Sequence, residues 1–234
     1  MMFQRYQGAV DKIQLVEGVN VLRLNRISPF GKTADPASRQ TFDLLNVKYR
    51  INVDQNKKSM GLAKQDSYLP RAKMFYDIKI IEDPAELKKY MESSEFDYYK
   101  TLVLEKNPGN ISLPVINEAD TVSKIQEKVE ITKYDMNNIE LNVETSENGF
   151  LFMSEIFYPD WKAFVDGKEV EIFRTDYSLR SVYLEKGNHK VEFVYSSKEF
   201  ELGSKVSLAV LALSFLGMGF VFFRQKKVKS EDAG

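Results

Sequence analysis

The sequence predicts a mainly β protein, an antiparallel β-sandwich preceded by a small α+β layer and followed by one C-terminal transmembrane helix. Three observations carry that prediction. Apolar residues alternate with polar ones over several short segments, the period of a half-buried strand. Tight-turn dipeptides, Asp166-Gly167 and Gly187-Asn188, punctuate those segments in the second half of the chain. Finally, Val206–Phe223 reads VSLAVLALSFLGMGFVFF, 18 residues without a charge. As a helix it covers about 27 Å, close to the thickness of a bilayer's hydrocarbon core.

Taken in order, residues 1–114 read as the α+β region. In LLNVKYRINV, Leu45, Val47, Tyr49, Ile51 and Val53 alternate with polar residues, and a second strand is expected from Lys73 to Ile81. Asp83, Pro84 and Glu86 then form a helix start, with Asp83 as N-cap and Pro84 in the first turn. Leu87, Tyr90 and Met91 supply its apolar face, and Thr101 to Glu105 returns to strand. Residues 115–200 read as the sandwich, with strands expected near 123–133, 138–145, 150–157, 161–165, 168–174, 179–184 and 189–195. The membrane helix takes 201–223, and a basic tail takes 224–234.

Composition excludes several functions. Lys and Arg total 33 against 34 Asp and Glu, a net charge of −1 that gives no general attraction to nucleic acid. The absence of Cys removes disulfides, thiolate metal sites and cysteine nucleophiles. His189 is the single histidine, so no site needing two imidazoles in one subunit exists. There is no Gly-rich phosphate loop, dinucleotide fingerprint, HExxH or GxSxG. No catalytic, metal-binding or cofactor-binding residue is therefore assigned, and no cofactor is expected.

Charges flanking the span set an expected orientation. Arg224, Lys226, Lys227 and Lys229 follow it, whereas Lys198 and Lys205 before it are offset by Glu199 and Glu201. The positive-inside rule puts the tail in the cytoplasm and the long N-terminal part outside. The opening residues, MMFQRYQGAVDKIQLVEGVN, contain no apolar export segment. The expectation is a C-terminal piece of a larger membrane protein, with the bilayer and further N-terminal helices of the same protein as partners. Ser207, Ser214, Gly217 and Gly219 would let another helix approach closely.

Outside the span, aromatic residues concentrate in Phe157-Tyr158-Pro159-Asp160-Trp161. Aromatic faces stack on the C–H surfaces of sugars, so Tyr158 and Trp161, with Glu155 beside them, are the candidate glycan contacts. Core packing by Trp161 and Phe157 is the competing expectation. Glu155 with Asp160, or Asp166 with Glu169, would need a shared cleft to act as a glycosidase pair, and turn formation already accounts for Asp166. Arg174, Arg180, Lys186, Lys190, Lys198 and Lys205 can either meet lipid phosphates or form a solvated face.

The stretch GFLFMSEIFYPDWKAFVDGKEVEIFRTDYSLRSVYLEKGNHKVEFVY (Gly149–Tyr195), followed by a terminal membrane helix, resembles the C-terminal end of YfhO-like bacterial membrane proteins. LLNVKYRI (Leu44–Ile51) and the segment from Leu69 to Glu105 resemble the family in the same order. The resemblance implies a polytopic protein similar to type C glycosyltransferases, which use lipid-linked sugar donors at the outer membrane face and act on cell-envelope polymers. Catalytic acidic residues of that superfamily lie near its early helices, to which no position here corresponds. This chain by itself is thus not expected to be catalytic. The matching positions Glu155, Trp161, Asp166, Gly167 and His189 read as elements that shape the sandwich. The alternative is a membrane-anchored module that binds glycan or another protein without any link to sugar transfer.

Overall fold

In the computed structural model of the protein, residues 42–54, 59–114 and 125–231 are described. The first segment changes one expectation. Residues 42–44 form a helical turn rather than the start of a strand, and Asn46 then adopts φ 56°, a left-handed conformation that Asn tolerates. The Val47 N–H donates to the Phe42 carbonyl at 2.8 Å. Local hydrogen bonds thus claim Leu45 and Val47, whose spacing alone suggests a strand. β1 (Tyr49–Asp54) and β2 (Ser59–Lys64) follow as an antiparallel hairpin with Tyr49 opposite Lys64.

The strand expected from Lys73 to Ile81 is divided at Tyr76. β3 (Ala72–Phe75) and β4 (Asp77–Ile80) take different partners. A parallel crossover joins β4 to β5 (Thr101–Leu104) through helix α1 (Pro84–Met91), the connection that a parallel pair requires. The Asp83 carboxylate caps that helix, accepting from the N–H groups of Ala85 (2.9 Å) and Glu86 (2.8 Å), while Leu87 and Met91 bury its inner face. These are the residues the capping signal indicates.

β6 (Glu127–Tyr134), β7 (Asn138–Thr145) and β8 (Gly149–Ile156) come next, then β9 (Trp161–Val165) and β10 (Lys168–Val170). β11 (Phe173–Thr175), β12 (Leu179–Leu184) and β13 (Gly187–Tyr195) complete the set. One sheet has six strands in the order β3-β8-β12-β11-β5-β4, and the other has five, β10-β9-β13-β7-β6. The six-stranded sheet begins with β3 and ends with β4, which Tyr76 alone separates. One intervening residue spans only a few ångströms, about 3.6 Å per residue, so the end of β3 and the start of β4 bring the two edges of the sheet close together at Tyr76. Strands from both sides of residue 114 are hydrogen-bonded in this sheet, within a compact unit that runs to Val194.

The two sheets face each other across a core of Met74, Leu141, Val143, Leu151, Met153, Val182 and Val191, among others. β8 is buried on both sides. Its Leu151 and Met153 meet the five-stranded sheet, while Phe150 and Phe152 join Leu87, Met91 and Leu104 in a second core under α1. Burial on two faces explains why GFLFM is continuously apolar instead of alternating. Gly149 begins this strand where a Cβ would lie 2.8 Å from the Phe75 carbonyl oxygen, so only Gly permits the approach.

Of the two expected tight turns, one lies where the sequence puts it and the other does not. Asp166 and Gly167 adopt φ 51° and 79°, as the hairpin between β9 and β10 demands. The second turn lies earlier than Gly187-Asn188: the chain reverses at Glu185 and Lys186, and Asn188 already pairs with Glu144 inside β13. The single strand expected over 168–174 is two strands in different sheets, with Glu171 and Ile172 carrying the chain between them.

The second compact unit begins at Tyr195. It consists of α2 (Lys198–Glu231), which contains the whole expected span Val206–Phe223. Ser197 precedes it as N-cap, and Glu199 and Glu201 sit in the first turn, where negative charge favours a helix. Within α2, the stretch Glu199–Gly219 contains an 18-residue window with a mean hydropathy of 1.6, none of which is buried. This is a helix long and apolar enough to cross a membrane.

Candidate functional site

The site that emerges lies where six elements end together on the sandwich. Alternation along β12 puts Arg180 on the same face as Val182 and Leu184, pointing between the sheets. Arg180 is only 1% exposed, which removes it from the solvated cationic face in which sequence alone groups it. Its guanidinium carbon lies 4.1 Å from the ring centroid of Trp161 and 5.0 Å from that of Phe193. Among the described residues, Nε, Nη1 and Nη2 of Arg180 have no hydrogen-bond acceptor.

That arrangement is energetically unusual. Two aromatic faces each return about 1–2 kcal/mol to a desolvated cation, whereas burying a charge without a partner costs several kcal/mol. Burial pulls the Arg180 guanidinium down to about 10, against the opposing influence of Glu155 and Tyr134. It remains charged at neutral pH.

The nearby carboxylate is engaged elsewhere. Arg71 Nη1 donates to Glu155 Oε1 at 2.5 Å and to the Tyr134 hydroxyl at 3.0 Å, and the Tyr134 hydroxyl in turn donates to Glu155. The Arg71 guanidinium also lies 5.0 Å from the Tyr134 ring centroid. Burial first, then the Glu155 charge, push the Tyr134 phenol up to about 12. Two guanidinium groups and one carboxylate leave the cluster with an excess of one positive charge. Arg71 holds the carboxylate, so the donors of Arg180 are the ones left over.

Of the candidate glycan contacts, Glu155 and Trp161 come together around Arg180. Trp161 is half-buried against the inter-sheet core as the first residue of β9. Tyr158 stands in the loop between β8 and β9, 41% exposed, with its carbonyl accepting the Trp161 N–H at 3.2 Å. Phe157 lies 4.6 Å from the guanidinium carbon of Arg174, which also pairs with Glu105. Arg71 and Tyr134 are absent from the sequence-based site because they are distant in the chain. Arg180 does carry a signal: a charge at an inward parity, in register with Val182 and Leu184.

His189 and Asp166 form a separate arrangement at the β9–β10 hairpin. His189 Nδ1 lies 2.7 Å from Asp166 Oδ2, and Nε2 lies 2.9 Å from the Glu185 carbonyl oxygen. The hydrogen bond from His189 and one from the Lys190 backbone hold the Asp166 carboxyl below its usual range. These bonds fasten a turn to the start of β13. They assemble no reactive group.

Asp43 and Asp176 are two further buried acids. The Asp43 carboxylate accepts hydroxyl hydrogen bonds from Ser67 (3.0 Å), Tyr98 (2.8 Å) and Tyr99 (3.4 Å). Asp176, in the hairpin between β11 and β12, accepts from the Val103 N–H through Oδ1 while Oδ2 has no partner among the described residues. Burial pushes its carboxyl up to about 7.

No curated protein and no solved structure matches the chain. The family model of the bacterial membrane protein YfhO matches residues 111–207. The matched segment takes in β6 through β13 and the first turns of α2, and with them Glu155, Trp161 and Arg180. Over residues 111–207 the chain is thus similar to the bacterial membrane protein YfhO, and it carries one helix long and apolar enough to cross a membrane.

Proposed function

We propose that this chain is the extracytoplasmic β domain and last membrane helix of a polytopic YfhO-like protein, and that it supports transfer of sugars from a lipid-linked donor to cell-envelope polymers. The observation that carries this reading is the join of a YfhO-like sandwich to a charge-free apolar span followed by four basic residues. That charge order favours an outer sandwich and an inner tail. The transfer chemistry belongs to other membrane helices of the protein, and the sandwich holds the acceptor polymer or steadies those helices.

Orientation is directly testable because the chain has no native cysteine. A single cysteine at exposed Lys168 should react with a membrane-impermeant maleimide on intact cells, and one at Ser230 should react only after permeabilisation. The reverse pattern would refute the proposed sidedness. For function, deleting the sandwich from the native protein should lower sugar incorporation into the envelope, while the purified 234-residue chain should transfer none. Transfer by that chain alone would place the chemistry here and sink the proposal.

A second reading is favoured by the convergence of Glu155 and Trp161 at one end of the sandwich. In it the chain is an anchored glycan-binding module, with Tyr158 completing the contact surface. It predicts glycan affinity in the purified chain and no change in envelope sugar transfer on deletion.

A further inference from the structure

We infer that the Arg180 end of the sandwich is an oxyanion-recognition site, taking a phosphate or carboxylate carried on a sugar or glycerol unit beneath Trp161. Three observations converge on it. Arg180 is enclosed, yet its guanidinium donors have no acceptor among the described residues. The carboxylate nearest in the network, Glu155, is bound by Arg71 and by the Tyr134 hydroxyl, so Arg180 is not its hydrogen-bonding partner. The cluster of Arg71, Arg180 and Glu155 carries one net positive charge, which a bound monoanion would neutralise. A guanidinium fork fits both carboxylate and phosphate oxygens, and such charge-assisted pairs are about twice as strong as neutral ones.

Trp161 supplies the rest of the site. Its ring covers Arg180 at 4.1 Å from the edge of the sandwich, next to the exposed Tyr158. An oxyanion reaches Arg180 only when that ring shifts, and the shifted indole can then stack on the C–H face of the unit that bears the charge. A neutral sugar gains the stacking but not the ion pair. The site therefore selects acidic over neutral saccharides. Glu155 limits the charge accepted, since each added negative charge meets its carboxylate.

The oxyanion site stands on the geometry of the sandwich alone. Its assignment to an envelope glycopolymer rests on the function proposed above.

Trp161 is the only tryptophan of the chain and reports on its own displacement. The full chain in neutral detergent micelles would be titrated with glycerol phosphate, glucuronate and glucose while Trp161 fluorescence is followed. Glycerol phosphate, glucuronate or both should give a saturable change, and glucose should not. Arg180→Met should weaken that response at least about tenfold, the loss of one charge-assisted pair, while Glu155→Gln should strengthen it. Circular dichroism of Arg180→Met should show an intact β fold. An undiminished response in Arg180→Met, or no saturable response either to the soluble anions or to micelles doped with phosphatidylglycerol, would overturn the oxyanion site. An Arg180-dependent response to micelles doped with phosphatidylglycerol, without one to the soluble anions, would overturn the glycopolymer assignment in favour of a lipid phosphate. Because these probes are small molecules, a positive titration with unchanged sugar transfer on deletion would instead remove the function proposed above and keep the site.

Discussion

Asp43 and Arg180 are both ionisable and both withdrawn from water, yet the fold treats them oppositely. The carboxylate of Asp43 accepts from three hydroxyls contributed by Ser67, Tyr98 and Tyr99. The guanidinium of Arg180 accommodates two aromatic rings and receives no acceptor from the described residues. The first is a finished internal network, whose loss exposes several groups at once. The second is an incomplete one, and incompleteness in a buried charge is the mark of a group whose partner comes from outside.

The largest expected effect breaks the finished network. Asp43→Leu leaves three hydroxyl groups without their acceptor in a packed region and should destabilise the domain by about 3 kcal/mol, read from denaturant unfolding of the full chain in micelles. Arg180→Met should move stability the other way. Replacing an unpaired buried charge by a similar apolar volume is often stabilising by roughly 1–4 kcal/mol. A substantial loss of stability in Arg180→Met would mean that Arg180 is a structural group, and the contrast with Asp43 would fail.

Asp176 lies between the two cases, with one carboxyl oxygen bonded and the other not. Its native carboxyl keeps its proton up to about pH 7, whereas the unfolded one loses it near the ordinary carboxyl value of 3.8. Between those limits the native state binds more protons, so this group's stabilisation is complete at low pH and is lost as pH rises towards 7. Asp176→Asn should flatten that slope and raise stability at pH 8 by on the order of 1 kcal/mol. Asn also suits the left-handed backbone at this position, where φ is 44°. Unfolding curves at pH 5 and pH 8 check the sign.

The smallest effect is expected at the exposed His189–Asp166 contact. Here the folded carboxyl is held down, so its contribution is present above the unfolded value and is lost as pH falls through the folded one. His189→Gln should therefore produce a minor change at neutral pH and a reduced acid dependence. A shift rivalling that of Asp43→Leu would show that burial is not what separates these groups.

Much of the fold is legible in local sequence. β7, β9 and β12 occupy the residues their alternation indicates, Asp83 caps α1, Asp166-Gly167 turns the hairpin, and the charge-free run lies inside α2. Each of these is decided by residues within a few positions of one another. The break at Tyr76 is not legible. Lys73 to Ile81 is one apolar-rich run without Gly or Pro, and only pairing with β8 on one side and β5 on the other splits it. Likewise 168–174 divides because its halves serve different sheets.

The site was half legible for the same reason. Glu155 and Trp161 lie close in sequence and near an aromatic run. Arg71 and Tyr134 come from 84 and 21 residues away from Glu155. The alternation LRSVYL does place Arg180 inward, but charge is an ordinary signal of exposure. Sequence therefore favours the surface reading until Trp161 and Phe193 are seen to enclose the group.

If Arg180 awaits an oxyanion from outside, thermodynamic linkage reports it without any probe at the site. A ligand that binds only the native state raises its stability as concentration passes the dissociation constant. Thermal unfolding of the full chain should therefore shift upward with increasing glycerol phosphate or glucuronate in the native sequence and stay fixed in Arg180→Met. An equal shift in both proteins, or none in either, would contradict an oxyanion site at Arg180.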